Sequence, residues 1–241
     1  MSSALMQKAG LRRVIVLPAA DPASELAILA DAAASHLIEP GAPEDVAGRT
    51  TSRILDRIGE LPGRSMVQLL GVSRATYFQY DPAEMIRAMA MRFRGQTFPI
   101  YAPLLLADAA LVASLREQIG IADSIAQFQK LTRVLFSVGG WKRDGSGVFE
   151  NFDENARPRA RGRRDGRNPR AHPRCGRAAH LSLPVRALPD DLYEDFILAP
   201  DRVAVGGHAR ADAVLACVCA KAATAQVRDA KTAQYVLDAL L

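Results

Sequence analysis

Three short stretches hold the residue types that could bind a charged ligand. The first is VAGRTTSRIL, residues 46–55, where Gly48, Arg49, Thr50 and Thr51 stand just ahead of an amphipathic helical pattern. A helix N-terminus offers unpaired backbone N–H donors and the positive end of the helix dipole, so it attracts phosphate, and Arg49 adds charge. The plainer role for Thr50 or Thr51 is to cap that helix. The second stretch is SVGGWKRDGSG, residues 137–147, in which Gly139 and Gly140 follow an apolar run at the place where open α/β sheets bind ligands. An ordinary strand-to-loop turn accounts for it equally well. The third, VAVGGHARADAV (203–214), repeats the idea, with Gly206 and Gly207 leading to Arg210.

None of the three is a G-x-G-x-x-G or G-x-x-x-x-G-K-[ST] loop, which disfavours nicotinamide dinucleotides and ATP. Catalytic groups are scarce. His36 falls in an Ala-rich helical stretch, His208 beside a glycine turn, and His172 and His180 in an Arg-rich tract. G-x-S-x-G is absent, and the acidic pairs Glu44-Asp45 and Asp190-Asp191 read as solvated loop charges. The cysteines, Cys175, Cys217 and Cys219, lack zinc-finger spacing to any histidine, so no metal is expected. Their odd number speaks against a disulfide framework and for a reducing cytosol. No cofactor is expected, and these residues do not announce an enzyme.

The elements that must position these stretches alternate. LRRVIVLP (11–18) reads as a buried strand, and after Pro22 the segment 23–39 reads as a helix stopped by Pro40-Gly41. A helix over 51–61, a strand over 64–71 and a helix over 82–93 follow, then TFPIYAP and two helical stretches across 108–130. LTRVLFSVGG (131–140) and DRVAVGG (201–207) are strands. ADAVLACVCAKA is a helix, ATAQV (223–227) a short strand and AKTAQYVLDALL a closing helix. This order predicts an α/β fold with a mainly parallel sheet and helices on both faces. The 241 residues suffice for a sizeable core, and no run of about 18 apolar residues suggests a membrane span.

The net charge of +5 hints at an acidic partner. Residues 156–180 alone carry nine Arg and one Asp, so the rest of the chain is net −3. That tract has no Leu, Ile, Val, Phe or Met. It cannot bury apolar area to offset an ordering cost of about 1–2 kcal/mol per residue, so a poorly packed excursion is expected over 155–185. Lost character with kept spacing suggests a stretch translated out of frame. An Arg-rich nucleic-acid arm is the rival, weakened by the lack of Lys and of aromatics for stacking.

In their order, LRRVIVLP, GRTTSRIL, MVQLLG, FPIYAPLLL, LFSVGGW, RVAVGGHARADAVLA and DAKTAQYVL resemble the effector-binding domain of the SorC/DeoR-type sugar-sensing transcriptional regulators. The resemblance implies a Rossmann-like fold related to ribose-5-phosphate isomerase and glucosamine-6-phosphate deaminase. It implies recognition of a phosphorylated sugar without turnover, and homo-oligomers, dimers or tetramers. Phosphate contacts are implied at Gly48, Arg49, Thr50 and Thr51, and further ligand contacts at Gly139, Gly140, Ser146, Gly206, Gly207 and Asp229. Arg210 stands where the family carries a Lys after the Gly-Gly turn. Operator DNA is read in this family by a winged helix-turn-helix ahead of the first strand. Residues 1–10 are therefore expected as a linker remnant and 11–241 as the sugar-phosphate domain, without the DNA-reading module. A sugar-phosphate isomerase or deaminase, or a non-functional remnant, are the alternative readings.

Overall fold

The computed structural model describes residues 1–18, 22–38, 46–47, 53–54, 56–59, 63, 65–72, 82–104, 109–140, 198–207 and 210–240. Five parallel strands form the main sheet: β1 (Arg13–Leu17), β2 (Val46–Ala47), β5 (Arg133–Ser137), β6 (Asp201–Val205) and β7 (Ala225–Asp229), in the order β1-β7-β6-β5-β2. Registers run Arg13 to Ala225, Val203 to Ala225, Arg133 to Asp201 and Val46 to Leu135. The α/β expectation holds, and strands covered on both faces explain why RVLFS and DRVAV read as nearly continuous apolar runs.

Each face carries its own core. On one, α2 (Pro22–Ile38) and α3 (Pro82–Phe93) lay Leu29, Ala30, Ala33, Ile86 and Phe93 over Leu135, Val203, Val205 and Val227. On the other, α1 (Ser2–Ala9), α6 (Ala211–Cys219) and α7 (Ala230–Ala239) pack Leu5, Val214, Cys217, Ala233 and Val236 over Val14, Val134, Phe136 and Ala204. Helices α4 (Ala109–Arg116) and α5 (Ile119–Ala126) precede a short 3-10 turn, Phe128–Lys130, whose Phe128 joins this second core.

Several elements differ from expectation. Within residues 1–10, Ser2–Ala9 form α1, closed by Gly10 at φ 66° and anchored by the fully buried Leu5. Segment 64–71 does not join the main sheet. Its strand is only β3 (Met66–Val67), paired with β4 (Thr97–Phe98) in a separate two-stranded sheet. At its end Gly71 lies close to the backbone of the segment after β4, where a Cβ would sit 2.8 Å from the Pro103 carbonyl. Of the helix expected over 51–61, Arg53 and Ile54 are helical and Asp56 and Arg57 form a turn. Cys217 is free and buried. The Arg-rich tract lies outside the described residues. Among them, no helix is long and apolar enough to cross a membrane.

Candidate functional site

The path of the chain sets where a ligand can enter. From β6 through α6 to β7 the chain moves toward β1, and α6 and α7 cover one face. From β1 through α2 to β2 it moves the opposite way, and α2 covers the other. Parallel crossovers are right-handed, so the reversal puts α2, which leaves β1, and α6, which leads into β7, on opposite faces. Open α/β sheets bind ligands at such a reversal, here the carboxyl ends of β1 and β7, where Leu17 pairs with Asp229.

Six expected site residues gather along that edge. Gly139 and Gly140 follow β5, half-buried, just past Val138, whose N–H donates to the Val205 carbonyl at 3.0 Å. Gly206 and Gly207 follow β6. Gly206 is buried, and a Cβ there would meet Val214 Cγ2 at 2.8 Å, so only glycine lets β6 turn into α6 this closely. Arg210 opens α6: its N–H donates to the Gly207 carbonyl at 3.0 Å. Its guanidinium reaches back across the strand ends, Nη1 donating to the Val138 carbonyl at 3.2 Å. It thus ties the two glycine turns together.

Asp229 ends β7 and is 2% exposed. One oxygen accepts from the Thr232 N–H at 3.0 Å, and the other accepts from the Thr232 hydroxyl. The carboxylate is the N-cap of α7. Burial alone would push its pKa up, but the hydrogen bonds from Thr232 outweigh that and hold it below the usual carboxylate value. Gly48, Arg49, Thr50, Thr51 and Ser146 lie outside the described residues. The first four directly follow β2, which pairs with β5 at Val46–Leu135 and Ala47–Phe136.

One side chain escaped the sequence reading. Glu25, in the first turn of α2, sets its carboxylate against Gly207, where any Cβ would overlap it. The signal was positional: the first helical turn after a parallel strand lies at the ligand-binding edge. The described edge thus combines one guanidinium, two carboxylates and paired glycines. That composition suits directional hydrogen bonding to a polyhydroxylated molecule. Among the described residues no three His, Cys, Asp or Glu side chains group as metal ligands.

The opposite edge carries a different set. Asp201, at the start of β6, accepts from Arg133 Nε at 2.7 Å, and Arg133 Nη1 donates to the His36 carbonyl at 3.2 Å. His36 Nε2 lies 3.6 Å and Arg12 Nη2 3.9 Å from the same carboxylate. Thr224 receives the Arg202 N–H at 2.7 Å and an Arg12 N–H at 3.1 Å. Although burial opposes ionisation, His36 and Arg133 hold the Asp201 pKa at about 2. His36 therefore stands at the far end of the sheet from the glycine turns.

Residues 1–160 match the family model Sugar-bind, described as "Putative sugar-binding domain". No curated protein matches the chain. Among solved structures, a transcriptional regulator from Streptococcus pneumoniae TIGR4 superposes with a TM-score of 0.77 at 15% identity, over 98% of this chain and 95% of that one. The full-length sorbitol operon regulator SorC from Klebsiella pneumoniae gives 0.75 at 14% identity, over 98% of this chain and 80% of its own. A DeoR family transcriptional regulator from Listeria monocytogenes gives 0.72 at 16%, over 98% and 97%.

Proposed function

The chain belongs to the Sugar-bind family of sugar-binding domains, and on that premise we propose that it senses a phosphorylated sugar, without turnover, for a sugar-responsive transcriptional regulator. The ligand lies along the carboxyl ends of β5, β6 and β7. Its phosphate is assigned to Gly48, Arg49, Thr50 and Thr51, and its hydroxyl groups to the edge formed by Gly139, Gly140, Gly206, Gly207, Arg210 and Asp229, with Ser146 beside them.

The observation that carries this reading is the Arg210 bridge between the two glycine turns. It leaves backbone groups and one cation facing the edge where the topology opens the sheet. Binding without turnover is supported by Asp229, whose oxygens are engaged by Thr232. A general base must reach the substrate's proton, and this carboxylate is committed to a helix cap. In the regulator, sugar binding shifts the population of oligomer conformations and so changes operator affinity. The domain acts as a homo-oligomer, a dimer or tetramer, in the cytoplasm. Operator contact is assigned to a helix-turn-helix module and not to the sugar-binding fold.

Thermal unfolding with a panel of pentose and hexose phosphates tests this. One member should raise the melting temperature by roughly 5 °C at 100 times its dissociation constant. A panel that leaves the transition unmoved overturns the assignment. Consumption of the bound sugar phosphate would favour an isomerase or deaminase instead.

A further inference from the structure

The polar atoms least accounted for lie inside the second core, away from the glycine turns. Gln226 and Arg228 alternate along β7, opposite Val14 and Val16 of β1, so both point to the face covered by α6 and α7. Gln226 is 1% exposed and Arg228 is wholly buried. Arg228 Nε, Nη1 and Nη2 and Gln226 Nε2 and Oε1 have no hydrogen-bond partner among the described residues. Five polar atoms on one short strand face are thus unpaired in an otherwise aliphatic layer. The side chain across the sheet from Gln226 is only Ala204.

A neutral environment does not remove the charge. Burial lowers the Arg228 pKa to about 10, which leaves it a cation at neutral pH. The neighbouring Cys217 thiol cannot serve as counter-ion, since burial pushes it up to about 12 despite the pull of Arg228 and Arg202. Asp229 acts on Arg228 electrostatically, but no oxygen of it accepts a hydrogen bond from the guanidinium, whose three nitrogens stay unpaired. A buried cation whose donors have no acceptor is strongly unfavourable unless an accepting group joins it.

We propose that Arg228 and Gln226 form an internal site for a small monovalent inorganic anion of chloride size, held between β7 and helices α6 and α7. The guanidinium supplies the charge and several N–H donors, and the Gln226 carboxamide adds one more. The surrounding layer is the apolar core of Val14, Val214 and Val236, where a small monovalent anion is less costly to desolvate than a divalent oxyanion. The site is separate from the sugar edge and does not depend on the sugar reading.

The test is thermal unfolding of the full chain at pH 7 and constant ionic strength, with gluconate replaced stepwise by chloride. The melting temperature should rise and saturate, gaining about 5 °C at 100 times the dissociation constant. In Arg228→Leu the chloride response should vanish, and the variant should melt no lower than the parent in gluconate. Gln226→Leu, which keeps the cation, should still respond, with its midpoint moved at least tenfold to higher chloride, and it decides the matter if Arg228→Leu does not fold. A parent that melts alike in chloride and gluconate overturns the proposal. So does Arg228→Leu with the parent's chloride response, or a Gln226→Leu midpoint unchanged from the parent.

Discussion

At the amino ends of β5 and β6, side chains bond to one another: Asp201, Arg133, His36, Arg12 and Thr224 form a continuous polar cluster drawn from five parts of the chain. At the carboxyl ends of the same strands the chain turns on glycine pairs, and Arg210 bonds to backbone. One edge spends its polar groups internally, while the other keeps side chains short and backbone accessible. The difference separates what holds the sheet together from what can meet a ligand. Substitutions at the two edges should therefore fail in different assays.

The largest effect is expected from Asp201→Ala. It leaves the Arg133 guanidinium, 9% exposed, without its carboxylate. Loss of one partner from a mostly buried pair costs about 3 kcal/mol, or roughly 6–10 °C of melting temperature at this length. Sugar-phosphate affinity should stay within about twofold, because the site is at the other end of the strands. The pH dependence has a definite sign. Asp201 is depressed to about 2 in the folded state, so its stabilisation is complete above its unfolded value and is lost as pH falls through the folded one. Acid melts should show the parent losing stability between about pH 5 and pH 2, with Asp201→Ala losing less over that window. A variant that unfolds at the parent's temperature but no longer binds sugar would erase the division between the edges.

Asp229→Ala lies between the two regimes. Removing the α7 cap should cost about 1–2 kcal/mol, read as a shift in the denaturant midpoint with unchanged slope. Because Asp229 also lines the proposed ligand edge, sugar affinity should fall beyond what the stability loss explains, and calorimetric titration of the folded variant separates the two.

The smallest stability change is expected at Arg210. Arg210→Ala removes the hydrogen bond to Val138 and should cost about 1 kcal/mol or less. Its sugar-phosphate affinity should nonetheless fall at least tenfold, since a charge-assisted contact contributes about 1.5–3 kcal/mol. An Arg210→Ala chain that melts and binds like the parent would leave the carboxyl edge with no functional role for its cation.

Much of the fold was legible because its signals are local. The apolar runs of β1, β5 and β6, the 3.6-residue periodicity of α2 and the closing helix, and the glycine pairs at 139–140 and 206–207 are read from neighbouring residues. Segment 64–71 misled for the same reason. Its apolar run reads as a strand, but its pairing partner, β4 with the bridge from Val72 to Pro103, lies about 30 residues on and is not written in the local pattern.

The sequence by itself determined the alternation of strands and helices, the positions of the turns and the membership of a sugar-binding family. Only the tertiary structure decided the strand order β1-β7-β6-β5-β2, and with it which edge opens. It also decided that Asp201 meets Arg133 from 68 residues away and that Arg133 meets the His36 carbonyl from 97. Glu25 against Gly207 and the unpaired Arg228 inside the core belong to the same class. The physical reason is range. Periodicity reports how a segment meets a generic apolar surface, whereas the partner of a charge is set by which distant segments the closed sheet brings within about 3 Å of it.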